Sequence, residues 1–167
     1  GTENVMMAAS LASGTTNIFN AATEPEVKNL GDLLRAMGAD ISGHGSNQIK
    51  INGVPYLKGC THKVSADRIE AGTFMVAAAA TRGQITINGA DPLELEVVTE
   101  LLRESGAEVE TSVDRIRVSM EIRPRAVNIE TAPFPGFPTD LQAQFMVLNA
   151  VAKGKAFVRE QIFENRF

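Results

Sequence analysis

Val76-Ala77-Ala78-Ala79-Ala80-Thr81-Arg82-Gly83, a run of small residues closed by a glycine, decides how this chain is read. It returns as Met7-Ala8-Ala9-Ser10-Leu11-Ala12-Ser13-Gly14 and as Val147-Leu148-Asn149-Ala150-Val151-Ala152-Lys153-Gly154, at intervals of about 70 residues. A second word repeats downstream of the first two copies: Leu33-Leu34-Arg35-Ala36-Met37-Gly38-Ala39-Asp40 reappears as Leu101-Leu102-Arg103-Glu104-Ser105-Gly106-Ala107-Glu108. Two separate words sharing one period make the chain an array of supersecondary units.

Local chemistry fills in each unit. A helix is expected to end at each closing glycine, where the left-handed conformation carries no Cβ penalty. Short strands follow at residues 16–19, 84–87 and 156–158. A second helix then opens with a capping box, Thr23 with Glu26 and Asp91 with Glu94, and Pro25 and Pro92 sit where a missing N–H costs nothing. Its buried face is Val27, Leu30, Leu33, Leu34 and Met37 in one copy and Leu93, Val97, Leu101 and Leu102 in the other. Alternating strands at 40–42 with 48–51, and at 108–110 with 115–118, close the units. Opening strands are read at 62–64 and 126–129, so the repeat is βαβαββ, an α/β (α+β) architecture. The first copy lacks its opening strand, and the third stops where its second helix is due, so the chain reads as a piece of something longer. The irregular stretch 53–65 and the charged, proline-containing turn 121–125 are the candidate boundaries.

Composition narrows the function. The 167 residues are 44% hydrophobic and 22% charged, enough apolar material for a core. Mean hydropathy is −0.04, and no apolar stretch approaches the length of a membrane span. Net charge is −4, the wrong sign for tracking nucleic acid. One cysteine, Cys60, and two histidines exclude an internal disulfide and a zinc-type cluster, and make the cytoplasm the default compartment. Loop or surface roles are the default for Cys60, His44 and His62.

Chemistry concentrates in Thr131-Ala132-Pro133-Phe134-Pro135-Gly136-Phe137-Pro138-Thr139-Asp140-Leu141-Gln142. Three prolines stiffen this loop, and Thr139 with Gln142 reads as another capping box, which places Asp140 at the first position of a helix. Asp140 there either complements the helix macrodipole, as acidic first-turn residues commonly do, or orients an alcohol and takes its proton. Near the end of the chain, in Glu164-Asn165-Arg166, the arginine either binds a carboxylate or phosphate in bidentate fashion or is a solvated charge. Asp67, Arg68 and Glu70 read as a helix cap with i,i+3 pairing. Thr2, Glu3 and Asn4 either cap the first helix or bind an anion at its N-terminus.

Four words carry a resemblance: Thr2-Glu3-Asn4-Val5-Met6-Met7-Ala8-Ala9, Ala66-Asp67-Arg68-Ile69-Glu70-Ala71-Gly72-Thr73-Phe74, Phe134-Pro135-Gly136-Phe137-Pro138-Thr139-Asp140-Leu141-Gln142-Ala143-Gln144 and Ile162-Phe163-Glu164-Asn165-Arg166-Phe167. In that order, from Gly1 to Phe167, the chain resembles the UDP-N-acetylglucosamine 1-carboxyvinyltransferase family of peptidoglycan precursor synthesis. The resemblance implies a two-domain, cytoplasmic enzyme, each domain an inside-out α/β barrel of three βαβαββ repeats, with the active site in the cleft between domains. It implies transfer of the enolpyruvyl group of phosphoenolpyruvate to the 3-hydroxyl of UDP-N-acetylglucosamine, through a tetrahedral intermediate that then loses phosphate, with no cofactor or metal. By the same resemblance Asp140 is the base, Thr139 helps hold the site, and Arg166 lies near the phosphoenolpyruvate groups. Ile162 contacts the nucleotide sugar, and Gly1 and Thr2 lie next to a uridine-diphosphate contact. Residues 1–59 become the last repeat of the first, cysteine-loop domain, 60–124 a complete repeat of the second, and 125–167 the start of the next.

Departures go with the matches. The family's reactive cysteine loop, its N-terminal lysine and asparagine, and further phosphoenolpyruvate arginines fall outside this stretch, and Cys60 does not match that cysteine. Ser65 stands where an apolar residue or proline is expected. The chain therefore needs the remainder of the enzyme as its partner and is expected to be inactive alone. The alternatives are the 3-phosphoshikimate enolpyruvyl transferases, which share fold and reaction, and a non-catalytic ligand-binding relative.

Overall fold

The computed structural model describes residues 1–166; Phe167, the last residue of the Ile162-to-Phe167 word, lies outside the described residues. The chain forms two compact units, Gly1–Ser65 and Ala66–Phe167, each with its own apolar core.

In the first unit α1 (Thr2–Ala9), β1 (Thr15–Phe19), α2 (Pro25–Ala36), β2 (Asp40–Ser42) and β3 (Gln48–Asn52) follow in order. The sheet is antiparallel in the order β1-β3-β2, and Ile18 faces Ile49 while Ile41 faces Ile51. Period-two alternation turns Ile41, Ile49 and Ile51 inward, where Met6, Val27 and Leu34 meet them. Pro25 opens α2, but its N-cap is Glu24, one residue beyond the expected Thr23.

The second unit repeats the plan. After α3 (Arg68–Ala80) come β4 (Gln84–Asn88), a 3₁₀ turn (Pro92–Leu95), α4 (Glu96–Ser105), β5 (Glu108–Ser112) and β6 (Arg115–Ser119), with sheet order β4-β6-β5. The register matches as well, with Ile85 opposite Val118 and Ile87 opposite Ile116. The unit continues through β7 (Ile129–Glu130), a 3₁₀ turn (Thr139–Leu141), α5 (Gln142–Val151) and β8 (Val158–Arg159), and β7 and β8 pair in parallel.

Several local expectations are corrected. No strand forms over 62–64; the Lys63 carbonyl accepts a side-chain hydrogen bond from Asn29 of the first unit instead of joining a ladder. The strand expected at 126–129 shrinks to Ile129–Glu130 because the Asn149 amide occupies both the N–H and the C=O of Val127. Leu93 is 76% exposed and Leu95 takes its place in the core, since the 3₁₀ turn advances 120° per residue and shifts the helical phase. Gly14 and Gly154 are left-handed as expected, but at the middle copy Arg82 adopts the positive φ and Gly83 does not.

One close approach positions everything that follows. Gly72 of α3 faces Leu141 so closely that a Cβ built on it would lie 2.6 Å from Leu141 Cδ1. Beside this contact Gln144 donates to the Thr73 hydroxyl at 2.9 Å, and Phe145 meets Phe137 edge to face with centroids 5.1 Å apart. Gly72→Val in the full-length protein is expected to displace Leu141 and cost about 2 kcal/mol or more by overpacking, read as a lower urea midpoint. A parental midpoint would contradict this packing.

Candidate functional site

The proline-rich loop leaves β7 and returns to the core at Phe137, tied by Ala132 N–H to the Phe137 carbonyl at 3.0 Å and by Gly136 N–H to the Pro133 carbonyl at 2.8 Å. Its Phe134–Pro135 bond is cis, and the mostly buried Arg68, first residue of α3, stacks its guanidinium 5.5 Å from the Phe134 ring centroid. Asp67 caps α3, accepting from the amides of Ile69 and Glu70 at 2.8 and 3.0 Å.

The expected Thr139–Gln142 capping box does not form. Pro138 is the N-cap of the 3₁₀ turn, Thr139 lies inside it, and the Thr139 hydroxyl donates instead to Glu160 Oε2 at 2.7 Å. Asp140 is therefore the second residue of a 3₁₀ turn that leads into α5. Its side chain is 62% exposed, whereas its neighbour Leu141 is fully buried.

Arg166 comes to the same place. Its Nη1 donates to Thr139 Oγ1 at 2.7 Å, while both terminal nitrogens reach Asp140 Oδ1 at the longer distances of 3.4 and 3.3 Å. The guanidinium also lies 5.3 Å from the centroid of the Phe163 ring. Asp140, Ile162, Phe163, Glu164, Asn165 and Arg166 line one open cavity of about 750 Å³. Three residues singled out from the sequence, Asp140, Ile162 and Arg166, thus share a cavity, and Thr139 is bonded to one of them.

Glu160 was not visible in the sequence. Its Oε1 accepts from the Thr131 hydroxyl at 2.9 Å and from the Ile162 and Phe163 amides at 2.6 and 3.1 Å, and its Oε2 from Thr139. Desolvation pushes this carboxyl up, but the bonds from Thr139, Ile162, Phe163 and Thr131 outweigh it and hold the group at about 2, against an ordinary 4.5. A lone glutamate after a two-residue strand carries no local pattern that marks it.

In the first unit Gly1 is the N-cap of α1, and the Thr2 hydroxyl oxygen accepts from the Ala22 amide at 3.0 Å. Thr2 thereby ties the start of α1 to the segment before α2. Cys60 is a free, exposed thiol. His44 lies in the turn between β2 and β3, as expected, with its side chain buried against Gly31 and bonded to Asp32 at 2.9 Å. Among the described residues no group of three or more His, Cys, Asp or Glu is placed to hold a metal ion, and no helix is long and apolar enough to cross a membrane.

Comparison with known proteins bears on this geometry. The model of the EPSP synthase (3-phosphoshikimate 1-carboxyvinyltransferase) family matches residues 1–167. The chain is 55% identical to the UDP-N-acetylglucosamine 1-carboxyvinyltransferase of Halorhodospira halophila, over 100% of this chain and 40% of the relative. It is 58% identical to that of Shewanella putrefaciens, over 99% of this chain and 40% of the relative. The chain thus spans 40% of the length of these relatives. Among solved structures, the enolpyruvyl transferase NikO from Streptomyces tendae superposes with a TM-score of 0.79 at 25% identity, covering 95% of this chain and 38% of that one. An EPSP synthase from Acinetobacter baumannii, at 24% identity and a TM-score of 0.57, covers 92% of this chain and 37% of its own and shares the fold.

A carboxyl whose folded value lies below its unfolded one stabilises the fold above about 4.5 and ceases to do so as pH falls through about 2. Carboxyl-carbon NMR of the full-length protein is expected to show Glu160 titrating near the lower value, with the Thr139 and Thr131 contacts loosening in that window. A midpoint at the ordinary glutamate value would contradict the network.

Proposed function

The chain belongs to the EPSP synthase family, and from that premise we propose that it is part of an enzyme transferring the enolpyruvyl group of phosphoenolpyruvate to the 3-hydroxyl of UDP-N-acetylglucosamine. Phosphate is released, and the product enters peptidoglycan precursor synthesis. The observation that carries this reading is the shared cavity of Asp140, Ile162 and Arg166. The choice of acceptor is supported by relatives at 55% and 58% identity that are named for it. Both substrates are cytoplasmic metabolites, so the reading places the reaction in the cytoplasm.

In this reading the exposed Asp140 carboxylate accepts the proton of the sugar hydroxyl as its oxygen bonds to C2 of phosphoenolpyruvate. C3 gains one proton, supplied by solvent or by an acid outside this chain, to give the tetrahedral adduct; C3 then gives up one proton as the C2–O bond to phosphate breaks, and the proton held by Asp140 is returned to the departing phosphate or to solvent. Arg166 supplies positive charge for the carboxylate or phosphate. Its contact with Asp140, at 3.3–3.4 Å, is at the outer limit of hydrogen bonding, so substrate can take either partner at little cost. Its short bond to Thr139 holds it in place meanwhile. Ile162 offers an apolar edge to the sugar. Residues 1–59 are assigned to the last repeat of one domain, and residues 60–124 and 125–167 to repeats of the other.

Asp140→Asn in the full-length protein keeps the shape and removes the base, so turnover is expected to fall by roughly 10²–10⁴-fold while the fold is retained. An unchanged rate would remove Asp140 from its role. Assayed with shikimate 3-phosphate in place of the nucleotide sugar, the full-length protein is expected to release no phosphate; release would move the reading to the alternative acceptor. The isolated 167-residue chain, given both substrates, is expected to stay at background.

A further inference from the structure

Glu160 lies outside the cavity wall, yet two of its hydrogen bonds, from Thr139 and from the Phe163 amide, come from residues that touch Arg166. A threonine hydroxyl has one proton to give. Thr139 gives its proton to Glu160, which leaves the Thr139 oxygen facing Arg166 Nη1 with lone pairs, the arrangement the 2.7 Å contact requires. Thr131 does the same, donating to Glu160 and accepting from the Gln161 amide at 2.8 Å. Phe163, whose ring backs the Arg166 guanidinium, is held by its own amide on Glu160. A free hydroxyl rotor turns to suit its surroundings; a carboxylate acceptor removes that freedom and selects one orientation.

We propose that Glu160 is a positioning residue for enolpyruvyl transfer, acting through Thr139 and Phe163 to hold the Arg166 guanidinium beside Asp140 at the cavity. This rests on the reading of the cavity as the enolpyruvyl transfer site. The geometry separates the role from that of a loop staple. Arg166 has one short hydrogen bond to a described side chain, and Glu160 dictates its direction; the bonds from Arg166 to Asp140 are too long to set its position. Glutamine at 160 keeps the size but can place an N–H₂ against Thr139. The hydroxyl then accepts from residue 160, and that amide competes with Arg166 for the hydroxyl lone pairs.

The test is steady-state kinetics of the full-length protein with Glu160→Gln, Glu160→Asp, Thr139→Val and the Glu160→Gln/Thr139→Val pair, each checked for folding by its melting temperature. Glu160→Gln is expected to lower kcat by about 10²-fold, the scale of a misplaced catalytic group, with the KM for the nucleotide sugar little changed. Glu160→Asp is expected to recover part of that loss. The double variant is expected to fall well short of the product of the single losses, because both changes break one chain of contacts. A folded Glu160→Gln with parental kcat, or losses that simply multiply, overturns the inference. If Glu160→Gln does not fold, Glu160→Asp against Thr139→Val decides by the same criterion. If the parent transfers no enolpyruvyl group, it is the functional reading that fails. The inference then stands or falls on guanidinium NMR of labelled arginine: a shifted or broadened Arg166 signal in the Glu160 variants supports it, and an unchanged signal overturns it.

Discussion

The close approach of Leu141 to Gly72 is the constraint on which the site depends. Leu141 is fully buried and its neighbour Asp140 is exposed, so one turn of chain carries both an anchor and a presented carboxylate. A tight 3₁₀ turn points adjacent residues in different directions, and fixing one fixes the other. Without a Cβ on Gly72, α3 lets Leu141 sink far enough for the turn to seat. Phe137 and Phe145 pack in the same core and hold the loop and α5 as one body. The aspartate direction is thereby set by apolar packing, which costs the site no polar group.

Electrostatics then completes what packing begins. Two carboxylates bear on the Arg166 guanidinium, Asp140 directly and Glu160 through Thr139, and they differ in how they are held. Glu160 is saturated with donors from Thr131, Thr139, Ile162 and Phe163 and stays ionised far below neutral pH. Asp140 makes only long contacts with Arg166 and faces the cavity. A saturated anion is poorly suited to accepting a proton, and an undersatisfied, exposed one is free to do so. In the proposed mechanism, the division between a carboxylate that positions and one that reacts follows from hydrogen-bond count, although the two side chains share a charge.

Much of the fold was legible because it repeats. Apolar period and closing glycines recur about 70 residues apart, and the two antiparallel sheets come out with identical strand order. Legibility failed where a distant partner overrides a local pattern. Thr139 and Gln142 have the spacing of a capping box, but a carboxylate twenty-one residues away takes the threonine proton. Asn149 replaces part of a strand ladder at Val127, and the 3₁₀ geometry after Asp91 exchanges Leu93 for Leu95. At the site, Asp140, Ile162 and Arg166 were marked by their words. Glu160 lies outside every word, and its threonine partners are 21 and 29 residues away; the contacts of Phe163 with Arg166 and of Arg68 with Phe134 join residues inside words, but no spacing marks them as contacts.

In the proposed mechanism the Asp140 carboxylate faces a sugar alcohol across the cavity it shares with Ile162 and Arg166. A crystal structure of the full-length protein with UDP-N-acetylglucosamine bound tests it directly. The 3-hydroxyl oxygen is expected within about 2.6–3.2 Å of an Asp140 oxygen, with the sugar against Ile162. A sugar seated elsewhere, with Asp140 turned to solvent, would contradict it.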